Sequence, residues 1–305
     1  MNRFQRIAAI LAAICAALIF MWRPTALVYG LQRAGLYAAV ALPMALVLGI
    51  VHIVNLAHGE LMMVAAYTTY FLSRTLGIDP YVAIVPTMIV MYVLGSGIYR
   101  LTVARTVDGS ELNQLILTFG IAMVLSQTMN LIATSQPRKL SLDYVSASAT
   151  IGEVSFGVYE FVFVALAVLI LVGLTLFLKR TRLGKAATAV GQNPRGAAII
   201  GIDVHRTYRI IFALAAALLG VVGTLFMTKM SIVPMVGGSY TMKSFCLVAM
   251  AGIGNLPMVV LGSLILGIAE SAIQAFPGGG GWSSLVFFAL IIAVILVRSF
   301  REKTV

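Results

Sequence analysis

The feature that most constrains this chain is an uncharged run of membrane-spanning length that is broken by a polar island and then resumes. Residues 34–51 are almost wholly apolar, and residues 61–72 carry no charge. Between them lies Val51-His52-Ile53-Val54-Asn55-Leu56-Ala57-His58-Gly59-Glu60. An Asn, two His and a Glu at bilayer depth would each cost several kcal/mol, roughly, if they faced lipid unpaired. They must therefore face a protein interior or a water-filled path, and Asn55, His58, Gly59 and Glu60 are read as bordering a route for solute.

Further blocks follow. The pattern predicts spans at 7–22, 27–50, 57–74, 80–99, 113–133, 158–178, 210–228, about 243–276 with an internal break, and 282–298. Only 10% of the side chains are charged and mean hydropathy is +1.03, where soluble domains carry roughly a quarter charged residues. Long apolar runs, rather than alternating ten-residue segments, exclude a barrel. The expected fold is all-α: one domain over residues 1–305, a polytopic transmembrane bundle of about 8–10 helices, some discontinuous. Residues 7–22, behind Arg3 and Arg6, lack a clear small-x-small cleavage site and are expected to remain as an uncleaved first helix.

The net charge of +11 belongs to loops. Residues 179–209 hold seven cations (Lys179, Arg180, Arg182, Lys185, Arg195, Arg206 and Arg209) against Asp203 alone, which places this loop in the cytoplasm. Counting crossings from it puts 134–157 outside and the N-terminus inside. A C-terminus on the inside requires the broken span 243–276 to count as two crossings or to contain a re-entrant piece. No aromatic-interleaved basic patch suggests nucleic acid. Cys15 and Cys246 both lie in apolar runs, as small buried hydrophobes do.

A second interruption, Ala251-Gly252-Ile253-Gly254-Asn255-Leu256-Pro257, breaks a later apolar run as 52–60 breaks the earlier one. Paired interruptions in two halves of a transporter point to a central site, so Gly252, Gly254 and Asn255 join the pathway candidates; the alternative is a glycine-packed turn between ordinary helices. Ala34/Ala38 and Ala216/Gly220, at four-residue spacing, fit close helix crossings. Glu60 could find a cation such as Arg33, and Glu270, another ionisable group in an apolar run, is expected to pack inward against a structural partner.

Chemistry on this chain itself is not expected. His52, His58 and Glu60 do not have the helical spacing of a zinc pair, so no metal and no catalytic residue are assigned. No Gly-x4-Gly-Lys-Ser/Thr phosphate loop occurs, so no cofactor is bound here, and ATP, if used, is hydrolysed by another polypeptide. The basic loop reads as two short helices with a turn at Asn193-Pro194, the second ended by Gly201. Its Ala and Gly residues would let a partner's groove approach closely, while its cations sit near anionic lipid headgroups.

Taken together, Gly30-Leu31, Tyr37-Ala38, Asn55-Leu56-Ala57-His58-Gly59-Glu60, Thr181-Arg182-Leu183-Gly184, Ala197 to Gly201-Ile202 and Gly252-Ile253-Gly254-Asn255-Leu256-Pro257 resemble the permeases of branched-chain amino-acid ABC importers over most of residues 30–298. Leu56 stands where members commonly carry Phe. The resemblance implies a permease subunit in a bacterial inner membrane, paired with a second permease or a copy of itself, two cytoplasmic ATPases and a periplasmic binding protein. It implies ATPase coupling through Arg182, Gly184, Lys185, Asn193, Pro194, Ala197, Ala198 and Gly201. Related permeases move urea or short amides. The rival from another class is a stand-alone channel or secondary transporter with its ion site at the polar break.

Overall fold

A computed structural model describes residues 24–276 apart from 108, 141, 152 and 153, together with 278, 281, 282, 287–289 and 292. The expected span 7–22, Cys15 and most of the expected span 282–298 lie outside the described residues.

Ten helices run α1 Pro24–Ile50, α2 His58–Leu76, α3 Pro80–Leu101, α4 Glu111–Ala133, α5 Phe161–Arg180, α6 Arg182–Gln192, α7 Pro194–Ile199, α8 Val204–Lys229, α9 Gly237–Ala251 and α10 Leu256–Gln274 among the described residues. Six of them (α1, α3, α4, α5, α8 and α10) are long and apolar enough to cross a membrane, which bears out the all-α polytopic expectation. Their starts carry legible signals. Asp79 caps α3 ahead of Pro80, Ser110 caps α4, Asp203 caps α8, and Asn255 caps α10 ahead of Pro257, each side chain accepting a first-turn N–H.

The molecule is organised around α1. Its residues from Ala34 to Leu48 are buried on every face, as expected of a helix that is apolar all round, and α5, α8, α9 and α10 pack on it. Small residues set the crossings. A Cβ on Gly267 of α10 would come within 2.9 Å of the Ala34 Cβ, and one on Gly35 within 2.6 Å of the Val164 nitrogen of α5. Gly95 of α3 lies equally close to Ala216 of α8. These are the close approaches that drive helix association where lipid offers no hydrophobic gain. Thr69, Thr87 and Thr224, all fully buried, link α2, α3 and α8 through hydroxyl contacts of 3.2 and 2.8 Å.

The two ends of the bundle differ. At one end, α6 and α7 carry the basic sequence, and a Cβ on Gly191 would meet the Gly49 carbonyl at the foot of α1 at 3.0 Å. At the other, the segment between α4 and α5 forms an antiparallel hairpin, β1 Ser148–Ile151 and β2 Val154–Gly157. Tyr29 and Gln32 of α1 donate to its Ser155 and Gly157 carbonyls, and Lys229 bridges to Glu160 at 2.9 Å. The apolar periodicity gave no sign of this hairpin. Its eight strand residues lie between two spanning helices and leave the bundle itself helical.

The broken span is corrected in detail. It is two helices, α9 and α10, and α9 starts six residues earlier than the apolar run suggested, at Gly237-Gly238. Gly252 closes α9 and Gly254, at φ 77°, turns the chain before the Asn255 cap. Residues 252–255 thus form a glycine-packed turn, Gly254 lying against Gly49.

Candidate functional site

Asn55 ends the extended stretch after α1. Its backbone carbonyl accepts the His58 N–H at 3.2 Å and its Oδ1 accepts the Ala57 N–H at 3.0 Å, which starts α2 well inside the bundle. The His58 ring is fully buried, and its Nε2 donates to the Val40 carbonyl halfway along α1 at 2.8 Å. Since a carbonyl can only accept, that nitrogen carries the proton.

The next residues meet the start of α9. A Cβ on Gly59 would fall 2.0 Å from the Gly237 carbonyl oxygen, and a Cβ on Gly237 would fall 2.5 Å from the Glu60 carboxyl carbon. Both positions therefore require glycine. The Gly59 N–H, an orphan of the first turn, donates across the junction to Thr241 Oγ1 at 2.8 Å. Glu60 lies against Gly237 and the Gly238 amide, so one carboxyl group, 6% exposed, serves the N-termini of both α2 and α9. Two helix N-termini brought together repel through their partial positive charges, and a carboxylate between them offsets this. Glu60 Oε2 has no hydrogen-bond partner among the described residues.

Among the described residues Glu60 makes no ion pair with Arg33; it lies instead against Gly237 and Gly238. The interruption at Gly252, Gly254 and Asn255 does not pack on His58–Glu60, but Gly252 and Ile253 share a cavity with His52 and Val54 of the first interruption. The element that faces His58–Glu60 is Gly237–Thr241, which sequence reasoning missed; Gly237-Gly238 ahead of Ser239 and an apolar helix was the available signal. That cavity, of about 400 Å³, is also lined by Leu48, Glu111, Gln114 and Phe245. Gly254 lines a neighbouring one with Gly49, Thr188 and Gly191. Both cavities lie toward the α6–α7 end; the first is mainly apolar with a few convergent polar groups, as solute sites are, and the second is of mixed polarity.

At that end Thr181 caps α6 and Asn193 caps α7 ahead of Pro194, and Gly201, at φ 85°, ends α7. Gly184, Ala187, Val190 and Ala197 face the bundle, with Gly184 pressed on the Phe177 carbonyl. The small residues are thus divided: Gly184, Ala187 and Ala197 let α6 and α7 lie close on this chain's own helices, while Ala198 and Gly201 are exposed. What faces away is Arg182, Leu183, Lys185 and Arg195, Ala198, and above all Ile199 and Ile200, 86% and 73% exposed.

A second polar cluster was also missed. Lys243 of α9 contacts Glu270 of α10 at 3.1 Å, and Tyr37 of α1 donates to Glu270 at 2.5 Å while accepting from Lys243 at 2.7 Å. Lys243 is the lone cation in its apolar stretch, which was signal enough. Glu270 does pack inward on a partner. Among the described residues no three His, Cys, Asp or Glu side chains converge to hold a metal ion.

A polytopic helical bundle with a helix junction held by buried polar groups in its interior, and cavities beside it, is the architecture of a membrane permease. Over residues 26–295 the chain matches the family described as the permease component of the branched-chain amino acid transport system, and it belongs to that family. It is 29% identical to the high-affinity branched-chain amino acid transport system permease protein BraD of Pseudomonas aeruginosa, over 89% of this chain and 92% of that one. It is 27% identical to the corresponding protein LivH of Escherichia coli K12, over 88% and 91%. The L-arabinose permease AraH of the same organism is 29% identical over 48% of this chain and 47% of its own.

Proposed function

We propose that this chain is the permease subunit of an ATP-driven importer that carries branched-chain or other hydrophobic amino acids across a bacterial inner membrane. The observation that carries the reading is the near full-length match to BraD and LivH, whose names specify that solute class; the arabinose relative spans only about half the chain. In this reading a periplasmic binding protein delivers the amino acid, a second permease completes the passage, and two cytoplasmic ATPases work it through α6 and α7. No cofactor is held by this chain, and no bond in the solute is made or broken. The seven cations of 179–209 support the α6–α7 end being cytoplasmic, with the hairpin outside.

Asn55, His58, Gly59 and Glu60 fix the junction of α2 with α9, and Gly252, Gly254 and Asn255 fix the turn beneath it. Tilting α9 about that turn changes which end of the bundle reaches the cavities. The exposed Ile199 and Ile200, flanked by Arg182, Lys185 and Arg195, form a surface suited to an ATPase groove: apolar anchors with a cationic rim.

Reconstitution of the chain with its partner subunits in proteoliposomes tests this. ATP-dependent uptake of leucine, isoleucine or valine is expected. Uptake of urea or acetamide in place of amino acids, or full uptake by the chain alone down a proton gradient, refutes it.

A further inference from the structure

The cluster of Lys243, Glu270 and Tyr37 is more than packing requires. An ion pair inside a helical bundle contributes little net stability, because desolvation offsets attraction, and a well-packed apolar pair serves as well. Here the pair is not sealed. The Lys243 side chain is 23% exposed against 8% for Glu270, so Lys243 is the more open member of the pair. The Lys243 nitrogen lies 4.4 Å from the centre of the Tyr37 ring and 6.0 Å from that of Phe287. Arg33 is close enough to act electrostatically on Tyr37 and Tyr240, and it has no ion-pair partner among the described residues. The cluster thus holds a paired cation and anion with aromatic faces beside them, and Arg33 adds a further positive charge to their surroundings. It also shares α9 with the junction, since Thr241, which holds the Gly59 amide, is two residues from Lys243.

An excess cation, a paired carboxylate and aromatic rings are the chemistry that recognises a molecule bearing one carboxylate and one ammonium group. We propose that Lys243 and Glu270, with Arg33 and Tyr37 beside them, receive the charged head of a zwitterionic amino-acid solute during its passage. The solute carboxylate goes to Lys243 and Arg33, and its ammonium to Glu270 and the Tyr37 ring. The resident pair keeps Lys243 and Glu270 neutralised by one another when the site is empty. The solute substitutes for it contact by contact, so no bare charge is exposed at bilayer depth, and the aliphatic side chain is left to the apolar walls. This inference rests on the amino-acid importer reading.

The test uses the full assembly in proteoliposomes. A single substitution would strand a charge, so the variant is Lys243→Met with Glu270→Met. Assembly and binding-protein-stimulated ATP hydrolysis are expected to stay within about twofold of the parent while radiolabelled leucine uptake falls about tenfold or more. Uptake retained within twofold overturns the inference, as does joint loss of uptake and stimulated hydrolysis in an intact assembly, which would make the pair a latch between helices. Lys243→Glu with Glu270→Lys provides the second reading should the Met pair not assemble. A latch is restored by the exchange, whereas a solute site, with Arg33 left in place, is not. If the parent assembly moves some other solute and not leucine, it is the importer reading that fails.

Discussion

At the scale of single residues, Gly59 and Gly237 matter for the space they leave. A methyl at Gly59 would overlap the Gly237 carbonyl, and overpacking of this kind costs about 1–3 kcal/mol. Gly97 of α3 has nothing within 4 Å of its Cβ position. Gly59→Ala is therefore expected to lower thermal stability in detergent and abolish uptake, while Gly97→Ala leaves both unchanged; equal behaviour of the two variants would refute the close crossing. Glu60→Gln keeps the shape and removes the charge between two helix N-termini, for a loss of about 0.3–2 kcal/mol. Lower stability with unaltered topology is the expected result, and a melting temperature equal to the parent's would show that the charge is not what holds the junction. His58, Asn55 and Glu60 stood out from sequence because polar groups in an apolar run must be satisfied. Which groups satisfy them was not legible, since Val40, Gly238 and Thr241 are brought there only by packing.

Among the elements, α6 and α7 illustrate how composition misleads about facing. Ala187, Ala197 and Gly184 look like a smooth outer surface, yet they are buried where α6 packs on α1, α5 and α8 and α7 packs on α6 and α8, and the bulky Ile199 and Ile200 point away. Periodicity gives the spacing of a helix face but not the side of the molecule it turns to. Ile199→Ser with Ile200→Ser is expected to reduce binding-protein-stimulated ATP hydrolysis and uptake severalfold without changing the yield of membrane-inserted chain, because neither side chain supports the bundle. Ala187→Leu, on the buried face, should instead reduce stability, since it forces α6 off its neighbours. The reverse pattern in a paired stability and transport assay would show the wrong face has been assigned. The interruption at 252–257 carries the same lesson. It has the Gly and Pro of a discontinuous span and forms the turn between α9 and α10 beside the cavity that His52 lines, while the segment packed on His58–Glu60 starts at Gly237.

For the whole molecule, orientation follows from charge. With Cys15 and Cys246 both replaced by Ser, a lone cysteine at Arg195 is expected to react with an impermeant maleimide only from the cytoplasmic side, and one at Ser148 in the hairpin only from outside; labelling of both from one side would break the assigned topology. The sequence by itself determined that this chain is an all-α membrane bundle of the branched-chain amino-acid permease family. Hydrocarbon demands long apolar helices with internal hydrogen bonds, and that demand is written residue by residue along the chain. Only the tertiary structure decided that the N-terminus of α2 meets that of α9, and that Lys243 of α9 meets Glu270 of α10 and Tyr37 of α1. Such meetings depend on which small residues let which backbones approach, and a contact between residues 59 and 237, or 37 and 270, leaves no periodic trace in a linear sequence.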